Sequence, residues 1–297
     1  MKKNLFVTAL VLAAVVRPHL VRSEVGFGSE QSMDPLAALS AAKDGAVPAA
    51  SAVKCEVRKD PRIVPGVPVE WVAIPGGKFL MGNDAMNLDA HPRHEVAVKA
   101  FAMSKTAVTV EQYAECVLDG RCTEPGTWGD CNWGKADRAR HPINCVDWLQ
   151  AAEYAKYMDA RLPSESEWEY AAKSGGKDRL YPWGNEPATC ARAVLNGGKG
   201  EGCGTGATMP VCSKPEGNTE QGLCDMAGNV RQWVQDNHRN SYADAPADGS
   251  AYDDNGFYRV TRGGSFSSIS GETLKADVRS YVGDGFRASG FGFRLAR

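Results

Sequence analysis

Cysteine spacing constrains the fold of this chain more than any other feature of its sequence. Nine cysteines occur among 297 residues, and eight of them fall into two tight groups, at 116–145 and 190–224. No spacing within these groups is Cys-x-x-Cys, and no pair of histidines accompanies them, so disulfides are favoured over a zinc site. The candidate disulfide partners are Cys116, Cys122, Cys131, Cys145, Cys190, Cys203, Cys212 and Cys224.

Pairing of neighbours along the chain is the simplest arrangement of these eight cysteines. It gives the pairs 116–122, 131–145, 190–203 and 212–224. Sequence alone does not fix the connectivity, because many pairings of eight cysteines are possible. The odd number leaves one thiol over, and Cys55 is the candidate for it.

The N-terminus has the composition of an export signal, which agrees with disulfide formation. Lys2 and Lys3 precede an apolar run of 12 residues at 5–16, and the short side chains of Val21 and Ser23 follow. This order predicts a signal peptide over 1–23, with cleavage after Ser23. Twelve apolar residues are too few to cross a bilayer as a helix. We therefore expect an exported protein, periplasmic or secreted, without stable membrane insertion.

Composition divides the remaining chain into a spacer and one folded domain. Residues 24–66 are rich in Ala, Pro, Ser and Gly and predict a flexible spacer. Residues 67–297 contain the apolar patterns of an α+β domain with long irregular connections. The net charge of -2 gives no reason to expect a nucleic-acid partner.

Three helices are predicted from their N-terminal capping residues. Thr109, Asp147 and Ser164 each precede an amphipathic or Ala-rich stretch, and Thr109 and Ser164 have a Gln or Glu three residues later. Glu165, Glu167 and Glu169 in the third helix divide between its faces, so we expect no acid–base role for them. Short strands are predicted at 69–74 and 78–82, and loops with brief strands follow residue 181.

Nine short phrases occur in a fixed order along residues 72–294. They are VAIPGGKFLMG at 72–82, HEV at 94–96, TAVTVEQY at 106–113, HPINCVDW at 141–148, RLPSESEWEYAA at 161–172, YPWGNE at 181–186, GLCDMAGNVRQW at 222–233, RGGSF at 262–266 and GFR at 292–294. This series resembles the formylglycine-generating-enzyme, or sulfatase-modifying-factor, domain over 67–297. The resemblance implies a C-type-lectin-related α+β fold with little regular secondary structure.

The segment after the Gly-Gly-Ser turn departs from the family at its active site. The resemblance implies a copper(I) ion held there by two cysteines, and this chain has Ser268 and Thr273 at the matching positions. Hydroxyl groups are poor substitutes for the soft thiolates that copper(I) prefers, so we expect no copper. Ser265 matches a substrate-pocket serine of the family, although a serine without its metal is also an ordinary turn residue.

The resemblance also implies a structural calcium site in the loop at 228–233. Asn229 matches the family there, whereas Gln232 replaces a usual Glu and Arg231 replaces a usual Trp. Loss of a carboxylate and gain of a cation weaken calcium binding. We predict calcium near Asn229 and Gln232, with reduced affinity.

Two functions from different classes remain open. In the first, the chain is an exported binding or accessory module without copper-dependent formylglycine-generating activity. Its ligand would be an extracytoplasmic protein, a peptide or a small molecule, bound by Ser268, Tyr281, Phe286 and Arg287. In the second, it is a divergent O2-dependent oxidase that acts on a peptide cysteine or a secondary metabolite.

The last 39 residues are basic, which bears on the first function. Residues 259–297 include seven basic and three acidic side chains. These cations could pair within the core, or they could form a surface for an acidic ligand.

Overall fold

The computed structural model describes residues 66–85 and 88–297 and has an α+β architecture. The predicted signal peptide at 1–23, nearly all of the spacer at 24–66, and Cys55 lie outside the described residues. The helices are α1 (Val110–Leu118), α2 (Trp148–Tyr157) and α3 (Glu165–Ala172). The strands are β1 (Trp71–Ile74), β2 (Gly77–Met81), β3 (His94–Val98), β4 (Phe101–Ser104), β5 (Arg231–Asn237), β6 (Tyr258–Arg262), β7 (Arg279–Gly283) and β8 (Phe291–Phe293).

The strands form two small ribbons and one larger sheet. Strand β1 pairs with β4 and β2 pairs with β3, both antiparallel. The larger sheet has the order β7-β6-β5-β8, in which β5 and β8 are parallel and the other pairs are antiparallel. Helix α3 packs against one face of this sheet, and long loops connect the elements. The low content of regular structure agrees with the predicted α+β class.

All three predicted helix starts are confirmed by their hydrogen bonds. The side chains of Thr109, Asp147 and Ser164 accept from backbone N–H groups three residues later. Each N3 side-chain oxygen accepts from the backbone N–H of its cap. In α2 this acceptor is Gln150, where only the cap Asp147 was predicted. These reciprocal bonds satisfy donors that a helix start leaves unpaired.

The four disulfides follow the neighbour pairing predicted from the sequence. They join Cys116 to Cys122, Cys131 to Cys145, Cys190 to Cys203, and Cys212 to Cys224. Such bonds persist in oxidising compartments and are consistent with an extracytoplasmic protein. In the part of the chain that the structure describes, no helix is long and apolar enough to cross a membrane.

Buried ion pairs attach α3 to the larger sheet. Arg279 of β7 donates to both carboxylate oxygens of Glu165, at 2.9 and 2.7 Å. Arg262 of β6 donates to Glu169, and Lys173 donates to the same carboxylate at 2.7 Å. Burial opposes ionisation of Glu169, but Lys173 and Arg262 outweigh it and hold the pKa of Glu169 below its usual value. These contacts join the helix to two strands.

His141 is another buried polar residue, and it contacts the start of α1. Its Nδ1 lies 2.9 Å from the hydroxyl of Thr208, and its carbonyl accepts from the N–H of Val110. Burial, reinforced by the charge of Arg138, lowers the pKa of His141 from 6.5 to about 4. The imidazole is therefore neutral in the folded protein at pH 7.

Replacement of Glu169 by Gln is expected to destabilise the protein by about 3–5 kcal/mol, because it removes the counter-charge of buried Lys173 and the nearer of the two carboxylates beside buried Arg262. The matched control is Glu95→Gln, which breaks the exposed pair between Glu95 and Lys78 at 2.8 Å and should cost less than about 1 kcal/mol. Urea unfolding measures both losses. Equal losses in the two variants would contradict the role given to the buried pairs.

Stability is also expected to fall with acid because of His141. Its pKa is lower in the folded state, so the unfolded state binds the proton first as pH falls below 6.5. The contribution is complete above pH 6.5 and is lost towards pH 4, amounting to about 3 kcal/mol. His141→Gln does not titrate, so urea unfolding of both proteins across this range should show a stability difference that narrows with acid. A pH-independent difference would rule out this titration.

Candidate functional site

The Gly-Gly-Ser turn follows β6 directly and passes close to other backbone segments. Gly263 and Gly264 have positive φ angles of 89° and 67°. A Cβ at Gly263 would lie 2.6 Å from the carbonyl oxygen of Met226. A Cβ at Gly264 would lie 3.0 Å from both the hydroxyl of Ser268 and the carbonyl oxygen of Thr273. Glycine is therefore required at both positions.

Three residues match active-site positions of the family, and their hydroxyls take part in local hydrogen bonds. They are Ser265, Ser268 and Thr273. Ser268 Oγ accepts from the backbone N–H of Ser265 at 3.0 Å. Thr273 Oγ1 donates to the carbonyl oxygen of Ser270 at 2.9 Å. Ser265 Oγ lies 3.1 Å from Ser267 Oγ. Ser268 and Thr273 both border Gly264, but their hydroxyls shape the turn and do not provide the thiolates that suit copper(I). The residues present do not fit a copper(I) centre.

Asn229 and Gln232 are also engaged with protein groups. The amide of Asn229 exchanges two 3.1 Å hydrogen bonds with the backbone of Met209. Gln232 Oε1 accepts from Trp168 and Arg294, both at 2.7 Å. A calcium ion would have to displace these partners. Calcium at this loop stays a prediction.

The histidine, cysteine and carboxylate side chains of the described residues do not form a preformed metal site. Within residues 66–85 and 88–297, no group of three or more such side chains is arranged to hold a metal ion.

The four residues predicted to bind a ligand make separate sets of contacts. Tyr281 is exposed and stacks on His238 with ring centroids 3.6 Å apart. Arg287 donates to Asp147, the capping residue of α2, at 2.7 Å. The contacts of these two residues and of Ser268 do not overlap. A single surface formed by all four remains a prediction.

Phe286 and Arg231 contact the same ring, Phe291, although the sequence had indicated a role for Arg231 only in weakening calcium binding. The exposed ring of Phe286 packs edge-on against Phe291 at 5.2 Å. The guanidinium of Arg231 lies 5.7 Å from the centre of the same Phe291 ring. Arg231 also donates to Ser280 Oγ at 2.5 Å. The replacement of a usual family Trp by Arg was the signal that could have identified this cluster.

Comparisons with known proteins agree with this architecture. A sequence model of the sulfatase-modifying factor enzyme 1-like domain matches residues 59–297. Formylglycine-generating enzyme from Streptomyces coelicolor is 30% identical over 247 residues, which cover 66% of this chain and 78% of that enzyme. The structure of PvdO from Pseudomonas aeruginosa has a TM-score of 0.66 at 29% identity, covering 77% of this chain and 94% of PvdO.

A third relative is matched over only part of its length. Serine/threonine-protein kinase pkn1 from Chlamydia caviae is 31% identical over 245 residues, which cover 77% of this chain but 38% of the kinase. The chain thus spans less than two fifths of that relative, and the comparison concerns one region of it.

Removal of the Ser268 hydroxyl is expected to destabilise the turn. Ser268→Ala leaves the buried N–H of Ser265 without its acceptor, which should cost about 1–3 kcal/mol. Ser267→Ala is the comparison variant. Ser267 is exposed, so water can replace its hydroxyl in the contact with Ser265 Oγ, and its replacement should change stability by less than about 0.5 kcal/mol. Thermal and urea unfolding measure both changes. A Ser268→Ala protein as stable as the parent would contradict the structural role of this hydroxyl.

Proposed function

We propose that this chain, which belongs to the sulfatase-modifying factor enzyme 1-like family, is an exported binding or accessory module. In this proposal it does not perform copper-dependent formylglycine generation. The observation that carries the proposal is the chemistry at Ser268 and Thr273, where hydroxyls in local hydrogen bonds replace the expected thiolates. The rest of the family scaffold is retained around them.

The internal pairing of most C-terminal cations narrows where a ligand could bind. Arg262 and Arg279 pair with carboxylates of α3, and Arg287 pairs with Asp147. Arg294 is fully buried and donates to Gln232 and to backbone carbonyls. These contacts favour the structural explanation for most of the basic charge and leave little of it for an acidic partner.

Export is part of the proposal and is supported by the disulfides. Four disulfides in the described chain fit an oxidising compartment, either periplasmic or external. The proposed ligand is an extracytoplasmic protein, a peptide or a small molecule.

A divergent O2-dependent oxidase is the second candidate. Ser265 is retained at a substrate-pocket position, and the formylglycine-generating enzyme of Streptomyces coelicolor is among the relatives. This candidate requires a metal or another oxygen-activating group that does not depend on the missing thiolates. Its substrate would be a peptide cysteine or a secondary metabolite.

Copper(I) titration against a competing chelator tests the proposal. The parent protein is expected to hold no copper(I) at micromolar concentration, whereas Ser268→Cys/Thr273→Cys should bind it because two thiolates are restored. Ser267→Cys/Thr273→Cys is the matched control, because it adds the same number of thiols with one at an exposed position.

Oxygen consumption separates the two candidate functions. The parent protein, supplied with copper or iron and a cysteine-bearing peptide, should consume no O2 above the same metal and peptide without the protein. Metal retention by the parent together with O2 uptake would overturn the binding-module proposal and support the oxidase.

A further inference from the structure

We propose that Arg231, Ser280 and Phe286 form a binding site for an organic carboxylate beside the Gly-Gly-Ser turn. The guanidinium would hold the carboxylate, and the exposed ring of Phe286 would contact the apolar body of the ligand. This inference rests on the proposed binding function and specifies the chemical class of its ligand.

The first support is the unusual environment of the Arg231 guanidinium. Among the described residues it has a hydroxyl partner, Ser280 Oγ at 2.5 Å, and no carboxylate within ion-pair distance. Arg262 and Arg279, on neighbouring strands of the same sheet, each have a Glu partner. Burial lowers the pKa of Arg231 from its usual value. A partly desolvated cation without a counter-charge is a favourable partner for an anion.

The second support is that the guanidinium retains donors for a ligand. Arg231 is partly exposed, and its side chain uses one N–H in the bond to Ser280. A guanidinium presents five N–H groups in a planar fork that matches the two oxygens of a carboxylate. By contrast, Arg294 is fully buried and donates through all three of its nitrogens. Arg231 therefore has N–H groups with which it can bind an external anion.

The third support is the aromatic surface next to this cation. The guanidinium lies 5.7 Å from the centre of the Phe291 ring, and Phe286 packs on the same ring at 5.2 Å. Phe286 remains 45% exposed, which leaves apolar area that a ligand could cover. A cation beside an exposed ring suits an anion with an apolar body better than a small inorganic anion.

The loop that precedes Phe291, the first residue of β8, is held in place by hydrogen bonds. Gly290 accepts from the N–H of Arg231 at 2.7 Å, and Ser289 accepts from the side chain of Asn144 at the same distance. A Cβ at Gly290 would lie 3.1 Å from Ser265 Oγ, so this loop borders the family pocket. The proposed site is thus built on a fixed support and adjoins Ser265, which the family resemblance matches to a substrate-pocket serine.

Chemical-shift titration of the isotopically labelled protein with acetate and benzoate tests the site. Constant ionic strength, maintained with chloride, removes general salt effects. Benzoate is expected to bind at least threefold more tightly than acetate because its ring can contact Phe286. Both ligands should shift the Nε–H resonance of Arg231.

Variants assign each contribution to a side chain. Arg231→Met should weaken both ligands at least tenfold, and Arg231→Lys should weaken them less because it keeps the charge but loses the fork. Phe286→Ala should reduce benzoate affinity to that of acetate and leave acetate binding unchanged. Arg121→Met is the charge-matched control, since Arg121 is exposed and lies outside the contact set, and it should bind both ligands as the parent does.

Retained benzoate binding in a folded Arg231→Met protein would overturn the proposal. Sulfate binding as tight as benzoate, unaffected by Phe286→Ala, would also overturn it in favour of a general anion site. The outcome is distinguishable from failure of the proposed function. Carboxylate binding that depends on Arg231, together with O2 uptake, would sustain this site while refuting the binding-module role.

Discussion

The attachment of α3 to the larger sheet by buried charges is the constraint on which the rest of the domain depends. Arg262 and Arg279 lie opposite each other in the β6–β7 register. Arg279 pairs with Glu165 of α3, and Arg262 pairs with Glu169 while also lying 3.6 Å from Glu165. A buried charge that loses its partner is costly, so the helix and both strands must be in place together. Because the Gly-Gly-Ser turn begins directly after Arg262, the same pairs fix where the candidate site starts.

The arginines of the sheet therefore divide by their partners and not by their position in the sequence. Arg262 and Arg279 neutralise carboxylates inside the domain, and their charge is not available to a ligand. Arg231 lies on the adjacent strand but meets a hydroxyl and an aromatic ring. A bound external anion would give Arg231 the counter-charge that Glu165 and Glu169 give to the other two arginines.

Features set by nearby residues could be predicted from the sequence. The capping boxes of α1 and α3 lie within four consecutive residues, and each disulfide joins neighbouring cysteines, so both were identified correctly. The family resemblance correctly gave the α+β class. The burial of Glu165 and Glu169 could not be predicted, because their arginine partners lie 114 and 93 residues away on strands whose pairing the sequence does not specify.

The contacts of Ser280 and Tyr281 were harder to predict for a related reason. Successive side chains of a strand point to opposite faces of the sheet, so Ser280 and Tyr281, adjacent in β7, contact different groups. Ser280 meets Arg231, whereas Tyr281 stacks on His238. Adjacent positions in β7 therefore belong to different contact sets, and a single ligand surface formed by Ser268, Tyr281, Phe286 and Arg287 stays a prediction.

The disulfides have a consequence for how the molecule would respond to its surroundings. Their partners are 6 to 14 residues apart in sequence, so each closes a short loop and none links α3 to the sheet. Reduction of the disulfides would increase the freedom of individual loops. Acid would instead weaken the ion pairs that hold distant segments together. Redox state thus affects local loop structure, whereas pH affects contacts between segments that are distant in sequence.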